Sequence, residues 1–161
     1  SLYEPLTLPR LPYMPDYSDY VELSPNSLLE KRVGDAGFDL VAASVAIPDF
    51  EFKFIEYETD FAFAPAADYV HALILPRSSI SKTWLSLANA PALIDSSFRG
   101  RVKLRFRYFG DFDNIDYSKI YKKGDKISQV VFFEEKRVEL IESDNLGNTN
   151  RGSGGFGSTG K

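Results

Sequence analysis

The sequence predicts an all-β domain, a distorted jelly roll or barrel of short strands with one short helix. Three observations predict it. Residues 50–63 and 101–109 alternate apolar and charged side chains at a period of two, residues 126–134 and 137–142 repeat the pattern more briefly, and only residues 79–87 suit a helix. At 161 residues the chain has room for one core and is too short for two ordinary domains.

Residues 1–20 are rich in proline and tyrosine and keep no period, so they are expected to form an N-terminal arm over a surface or a partner subunit, without chemistry. Residues 21–150 are expected to form the β domain. Within it FEFKFIEYETDFAF (50–63) begins as a half-buried strand does, aromatic and charged residues in turn. The helical piece holds Trp84, Leu85 and Leu87. In 101–109 the alternation is strict: Val102, Leu104, Phe106 and Tyr108 share one face and Arg101, Lys103, Arg105 and Arg107 the other. A basic strand face is ordinarily a solvated one. Residues 151–161 form a tail whose last ten residues, GSGGFGSTGK, hold five glycines and one aromatic, Phe156. Such a segment orders itself only against something else, as a cover closing over an anionic ligand would.

Composition removes several chemistries. There is no cysteine, hence no disulfide, thiol nucleophile or cysteine-bound zinc. The single histidine, His71, lies in the apolar run 69–75 and reads as a strand residue near the core rather than as part of a triad or metal cluster. A net charge of -4 with both signs dispersed gives no general attraction to nucleic acid. No apolar run nears the roughly 20 residues that span a bilayer, and the N-terminus lacks the pattern of a secretory signal, so no membrane association and a cytoplasmic location, or a host cytoplasm for a viral protein, are expected. Residues 155–161 match the first positions of a phosphate-binding loop, GxxxxGK, but the hydroxyl residue and helix that such a loop requires do not follow in this sequence.

Five segments in order, DAGFDL (35–40), PRSSISK (76–82), NAPALIDSSFRG (89–100), KGDKISQ (123–129) and RGSGGFGSTG (151–160), resemble the five motifs of the trimeric dUTPase family. The resemblance runs from about residue 21 to the end. It implies hydrolysis of dUTP to dUMP and pyrophosphate, which supplies dUMP and keeps uracil out of DNA. Attack on a phosphoanhydride needs an activated water, neutralised phosphate charge and in-line geometry. By the resemblance Asp95 is the general base. Arg77, Ser78 and Ser79 contact the phosphate chain, and Lys103 faces the nucleotide. The backbone from Asn89 through Ala92, Leu93 and Ile94 forms a hairpin that reads uracil, leaving no room for a thymine methyl. Phe98 stands where the family carries tyrosine against the sugar, and its ring is expected to exclude a 2'-hydroxyl. Gln129 helps to place the phosphate or the water. Arg151 and the tail through Gly157 and Ser158 grip the outer phosphates, with Phe156 stacked over the base. Magnesium is expected on the triphosphate, with Asp39 acting through bound water and no direct protein ligand. Each site is shared among the subunits of a homotrimer.

Three features depart from the motifs. Ala92 replaces a usual glycine, which matters if that position requires positive φ. Residues 47–67 and 111–121 are longer than usual connections, an extended hairpin and a surface insertion that offer a place for a protein partner. Two other readings compete. A dCTP deaminase, of the same fold, carries its catalytic glutamate ten residues after the aspartate of the third motif, where this chain has Arg105, and has no RGSGGFGSTG ending. A regulatory protein that uses tail closure as a nucleotide switch is favoured only by the insertions and the arm.

Overall fold

Alternating segments become strands because a period of two places every second side chain on the same face of a sheet. The computed structural model describes residues 3–5, 20–27 and 29–157. Strands β1 to β4 are Tyr3–Pro5, Val21–Leu23, Glu30–Arg32 and Phe38–Val41. Strands β5 to β8 are Ile47–Asp49, Phe54–Glu58, Phe63–Pro65 and Val70–Leu75, and β9 to β12 are Leu85–Leu87, Ala92–Ile94, Lys103–Tyr108 and Lys126–Glu134. Two short 3-10 helices, Ser78–Lys82 and Tyr117–Lys119, join them.

A six-stranded sheet runs β1-β3-β4-β12-β8-β10, a four-stranded sheet β5-β6-β11-β9, and β2 pairs with β7 alone. Every pairing is antiparallel. Strand β12 lies between β4 and β8, so the end of the domain closes a sheet begun near its start, as in a jelly roll. Between the sheets lie Ile55, Tyr57, Leu104 and Phe106 from one and Ile74, Ile127 and Val130 from the other, all buried. Each such side chain contributes about 1.5–3 kcal/mol by leaving water. Tyr57 packs edge-on against Phe106 at 5.6 Å and donates its hydroxyl to the carbonyl of Tyr121 at 2.7 Å. Burial pushes its phenol well above the ordinary range.

The basic strand behaves as its pattern predicts: Leu104, Phe106 and Tyr108 point inward, and Lys103, Arg105 and Arg107 outward. Other elements differ. The helix expected over 79–87 is a single 3-10 turn ending at Lys82, and Leu85–Leu87 is strand β9. Leu85 and Leu87 share one face at a period of two and bury it against β11, which outweighs the helical reading. The strand expected at 50–63 begins only at Phe54. Before it, Asp49 Oδ1 accepts the backbone N–H groups of Glu51 and Phe52, and Lys53 turns the chain with φ 57°.

Residues 137–142 form no strand in this chain and leave Val138, Leu140 and Ile141 exposed. Part of the expected arm, β1, pairs with β3 at the sheet edge, whereas residues 6–19 lie outside the described part. The first insertion is the extended hairpin of β5 and β6. Its tip meets the second, Phe50 edge-on to Phe112 at 5.4 Å. Among the described residues no helix is long and apolar enough to cross a membrane.

Candidate active site

The ends of β4, β8 and β12 meet where the first, second and fourth motif segments converge. Asp39 of β4 sits opposite Gln129 of β12, and Gln129 opposite Leu75 at the end of β8. Two residues beyond Leu75, Arg77 opens the 3-10 helix in extended conformation and turns its guanidinium onto Asp39, Nε to Oδ1 2.9 Å. Lys126 Nζ reaches the other carboxylate oxygen at 3.3 Å. Gln129 Nε2 donates to the carbonyl of Pro76 at 2.9 Å, which fixes the amide and leaves its oxygen over Gly37. A Cβ at residue 37 would stand 2.5 Å from that oxygen, so glycine is what leaves room for the Gln129 side chain to lie there.

The result is a polar cavity of about 450 Å³ lined by Arg32, Asp35, Asp39, Arg77, Ser78, Lys126 and Gln129. Three cations stand against two carboxylates, an excess of one positive charge that suits a chain of phosphates. Ser79 does not line this cavity but touches it through Arg77, whose Nη1 donates to its hydroxyl at 3.4 Å, and the same hydroxyl lies 3.4 Å from that of Tyr121. Lys126 and Arg32 were not singled out by the sequence. Lys126 lies inside the fourth segment, where its charge was the available signal.

The third segment lies elsewhere. Strand β10 pairs with β8 so that Ala92 faces Ile74 and Ile94 faces Ala72. Asp95 therefore falls beside His71, at the opposite end of β8 from Arg77. The six residue steps from His71 to Arg77 span about 20 Å at a strand's rise of ~3.3 Å per residue. Asp95 is exposed, and its carboxylate has no hydrogen-bond or ion-pair partner among the described residues. Its carbonyl accepts the N–H of Phe98 at 3.0 Å, forming a tight turn.

The ring of Phe98 folds over Gly100, where an added Cβ would meet Cζ at 2.6 Å. Strands β9 and β10 belong to different sheets, so residues 89–94 bridge two sheets instead of forming the expected paired hairpin. Ala92 is buried in β10 without positive φ, and the glycine usual in the motif is not required there. Leu93 is exposed and Ile94 half-buried.

Asn89 and Lys103 line a second cavity of about 650 Å³, with Phe52, Phe54, Arg105 and Arg107. In the tail Arg151 Nε donates to the carbonyl of Gly154 at 2.6 Å, and Phe156 and Gly157 take positive φ, with the Phe156 ring fully exposed. Ser158 lies outside the described residues. Among the described residues no three His, Cys, Asp or Glu side chains gather to hold a metal, and both oxygens of Asp39 are engaged by cations.

A dUTPase family model matches residues 26–160.

The chain belongs to the dUTPase family.

A deoxyuridine 5'-triphosphate nucleotidohydrolase of Rickettsia canadensis is 39% identical over 129 residues, 78% of this chain and 82% of that protein. One of Bifidobacterium longum is 33% identical over 140 residues, 84% of this chain and 83% of that protein. Among solved structures, the dUTPase of Staphylococcus bacteriophage 80alpha with dUpNHpp matches with a TM-score of 0.68 and 25% identity, over 88% of this chain and 97% of that one. The jelly-roll fold expected from the strands is thus that of the dUTPases.

Proposed function

We propose that this dUTPase-family chain hydrolyses dUTP to dUMP and pyrophosphate, with Asp95 as general base for a water that attacks the α-phosphate. The observation that carries the reading is the cation-lined cavity built by Asp39, Arg77, Ser78, Lys126 and Gln129, which suits a triphosphate. A carboxylate free of internal partners, as that of Asp95 is among the described residues, can accept the water's proton. Arg77 and Ser78 follow the phosphoryl oxygens, and Gln129, anchored on Pro76, offers its amide oxygen to the water and its second amide N–H to a phosphate oxygen. The turn at Asn89 and strand β10 present backbone groups to uracil, and the ring of Phe98 lies against the sugar.

The residues fit magnesium carried by the substrate: Asp39 is occupied by Arg77 and Lys126, and so acts on the ion through water. When bound, the ion would neutralise phosphate charge and fix the triphosphate's conformation. The distance between Asp95 and Arg77 supports a homotrimer in which each site takes its base from one chain and its phosphate cradle from another. Residues 138–142, whose Val138, Leu140 and Ile141 are exposed in a single chain, and the tail of residues 151–161 would then cross to a neighbour, with Arg151, Gly157 and Ser158 on the outer phosphates and Phe156 on the base.

Pyrophosphate release tests this, with dUTP, dCTP, dTTP and UTP supplied separately to the intact chain and to Asp95→Asn. The intact chain is expected to turn over dUTP alone, and the variant to lose about 10²–10⁴-fold in kcat while retaining nucleotide binding. Full activity in Asp95→Asn would remove the assigned base.

A further inference from the structure

The one histidine of the chain is turned toward the residue that follows Asp95. We propose that His71 is a positioning residue that holds the Asp95 turn through the backbone of Ser96, a role that rests on Asp95 being the base. His71 sits second in β8, its side chain largely buried, and its Nδ1 accepts the backbone N–H of Ser96 at 2.9 Å. A nitrogen that accepts there carries no proton, so the ring proton is on Nε2, where it is donated to Glu135 Oε1 at 3.1 Å. Glu135 therefore selects the tautomer that Ser96 needs. An imidazole with its proton on Nδ1 would meet the Ser96 N–H donor to donor.

The surroundings leave the turn little freedom. Ser96 is buried, and its hydroxyl donates to the carbonyl of Asp68 at 2.6 Å. Arg99 donates to the Ser96 carbonyl. Phe133 packs on the imidazole at 5.7 Å. Arg137 closes the group, with Nη2 2.5 Å from Asp68 Oδ1 and Nε 3.6 Å from Glu135. Three segments distant in sequence thus converge on one peptide unit: the start of β8, the turn after β10, and the residues after β12. The same Glu135 and Arg137 begin the segment that leads to the glycine-rich tail, so the base's turn and the root of its cover share one anchor. Misplacing a reacting group by about 1 Å can cost on the order of 10²-fold in rate, which is the scale on which such an anchor acts.

Shape and acceptor can be separated by substitution. His71→Asn keeps an acceptor, Oδ1, near the position of Nδ1, whereas His71→Leu keeps apolar bulk and loses the acceptor. The leucine variant is expected to lose about tenfold or more in kcat for dUTP with KM little changed, and the asparagine variant to stay within about threefold of the parent. Amide exchange at Ser96, read by NMR, should accelerate in His71→Leu and remain slow in His71→Asn and in Asp95→Asn. Should the leucine variant fail to fold, Glu135→Leu serves: the imidazole ¹⁵N shifts, reporting Nε2–H in the parent, should move toward a mixture of tautomers as kcat falls.

A leucine variant that folds and keeps full kcat, a loss borne by KM alone, or asparagine no better than leucine would overturn the assignment. Because Ser96 exchange does not depend on which group is the base, an active Asp95→Asn enzyme with normal His71 behaviour would refute the base and leave the anchor standing.

Discussion

Gly100 gives the ring of Phe98 space that any side chain would take, since a Cβ would come within 2.6 Å of Cζ and 3.1 Å of Cε1. The ring would have to swing away, and Phe98 is only half-covered, so it can. Gly100→Ala is therefore expected to fold normally yet to lose about tenfold of its preference for dUTP over UTP, because the surface proposed to exclude the 2'-hydroxyl has moved. The ratio of kcat/KM for the two substrates is the measurement, and an unchanged ratio would detach Phe98 from sugar selection. Such residues are marked in the sequence by their motifs. That the ring rests on Gly100 was not, because a side chain's rotamer depends on what its neighbours leave open.

At the scale of elements, the loop of residues 111–121 is held by local hydrogen bonds. Asp116 accepts from the hydroxyl of Ser118 at 2.6 Å and from its backbone N–H at 3.0 Å, capping the 3-10 helix Tyr117–Lys119, and its own N–H donates to the hydroxyl of Tyr108 at 2.9 Å. Those bonds to the charged form hold its carboxyl below the ordinary value of 3.8, the Ser118 side chain contributing most. A folded value below the unfolded one means that the stabilisation is present above the unfolded pKa and lost as pH falls through the folded one. The Ser118 amide should thus titrate with a midpoint below 3.8 by NMR, and Asp116→Asn should abolish that titration. A midpoint at or above the ordinary value would contradict the capping account. The length of this loop could be read from the sequence. Its contact with the β5–β6 hairpin through Phe50 and Phe112 could not, since the two rings are 62 positions apart in the chain and no local pattern links them.

At the scale of the whole molecule, the proposed base and phosphate cradle occupy opposite ends of β8. Chains carrying Asp95→Asn and chains carrying Arg77→Ala should each be nearly inactive, and co-refolding them in equal amounts should restore about a quarter of the parent activity if each site draws the two residues from different subunits. A mixture no more active than its components would mean that both residues serve one chain, against the strand geometry. Sedimentation of the parent should give a trimer, and removal of residues 137 onward should shift it toward monomer as Val138, Leu140 and Ile141 lose the neighbour they are proposed to cover.

The sequence by itself determined the sheet-forming character of the chain, the inward face of β11, the lack of any cysteine, and the family to which the five segments point. Each of these is written locally, in side-chain alternation, composition or a short motif. Only the tertiary structure decided that Leu85–Leu87 is a strand, that residues 89–94 bridge two sheets, that Arg77 and Lys126 share Asp39, and that His71 accepts the backbone N–H of Ser96. Periodicity says which side of a strand is buried, but not which strand lies beside it, because pairing and register arise from contacts between residues far apart in the chain.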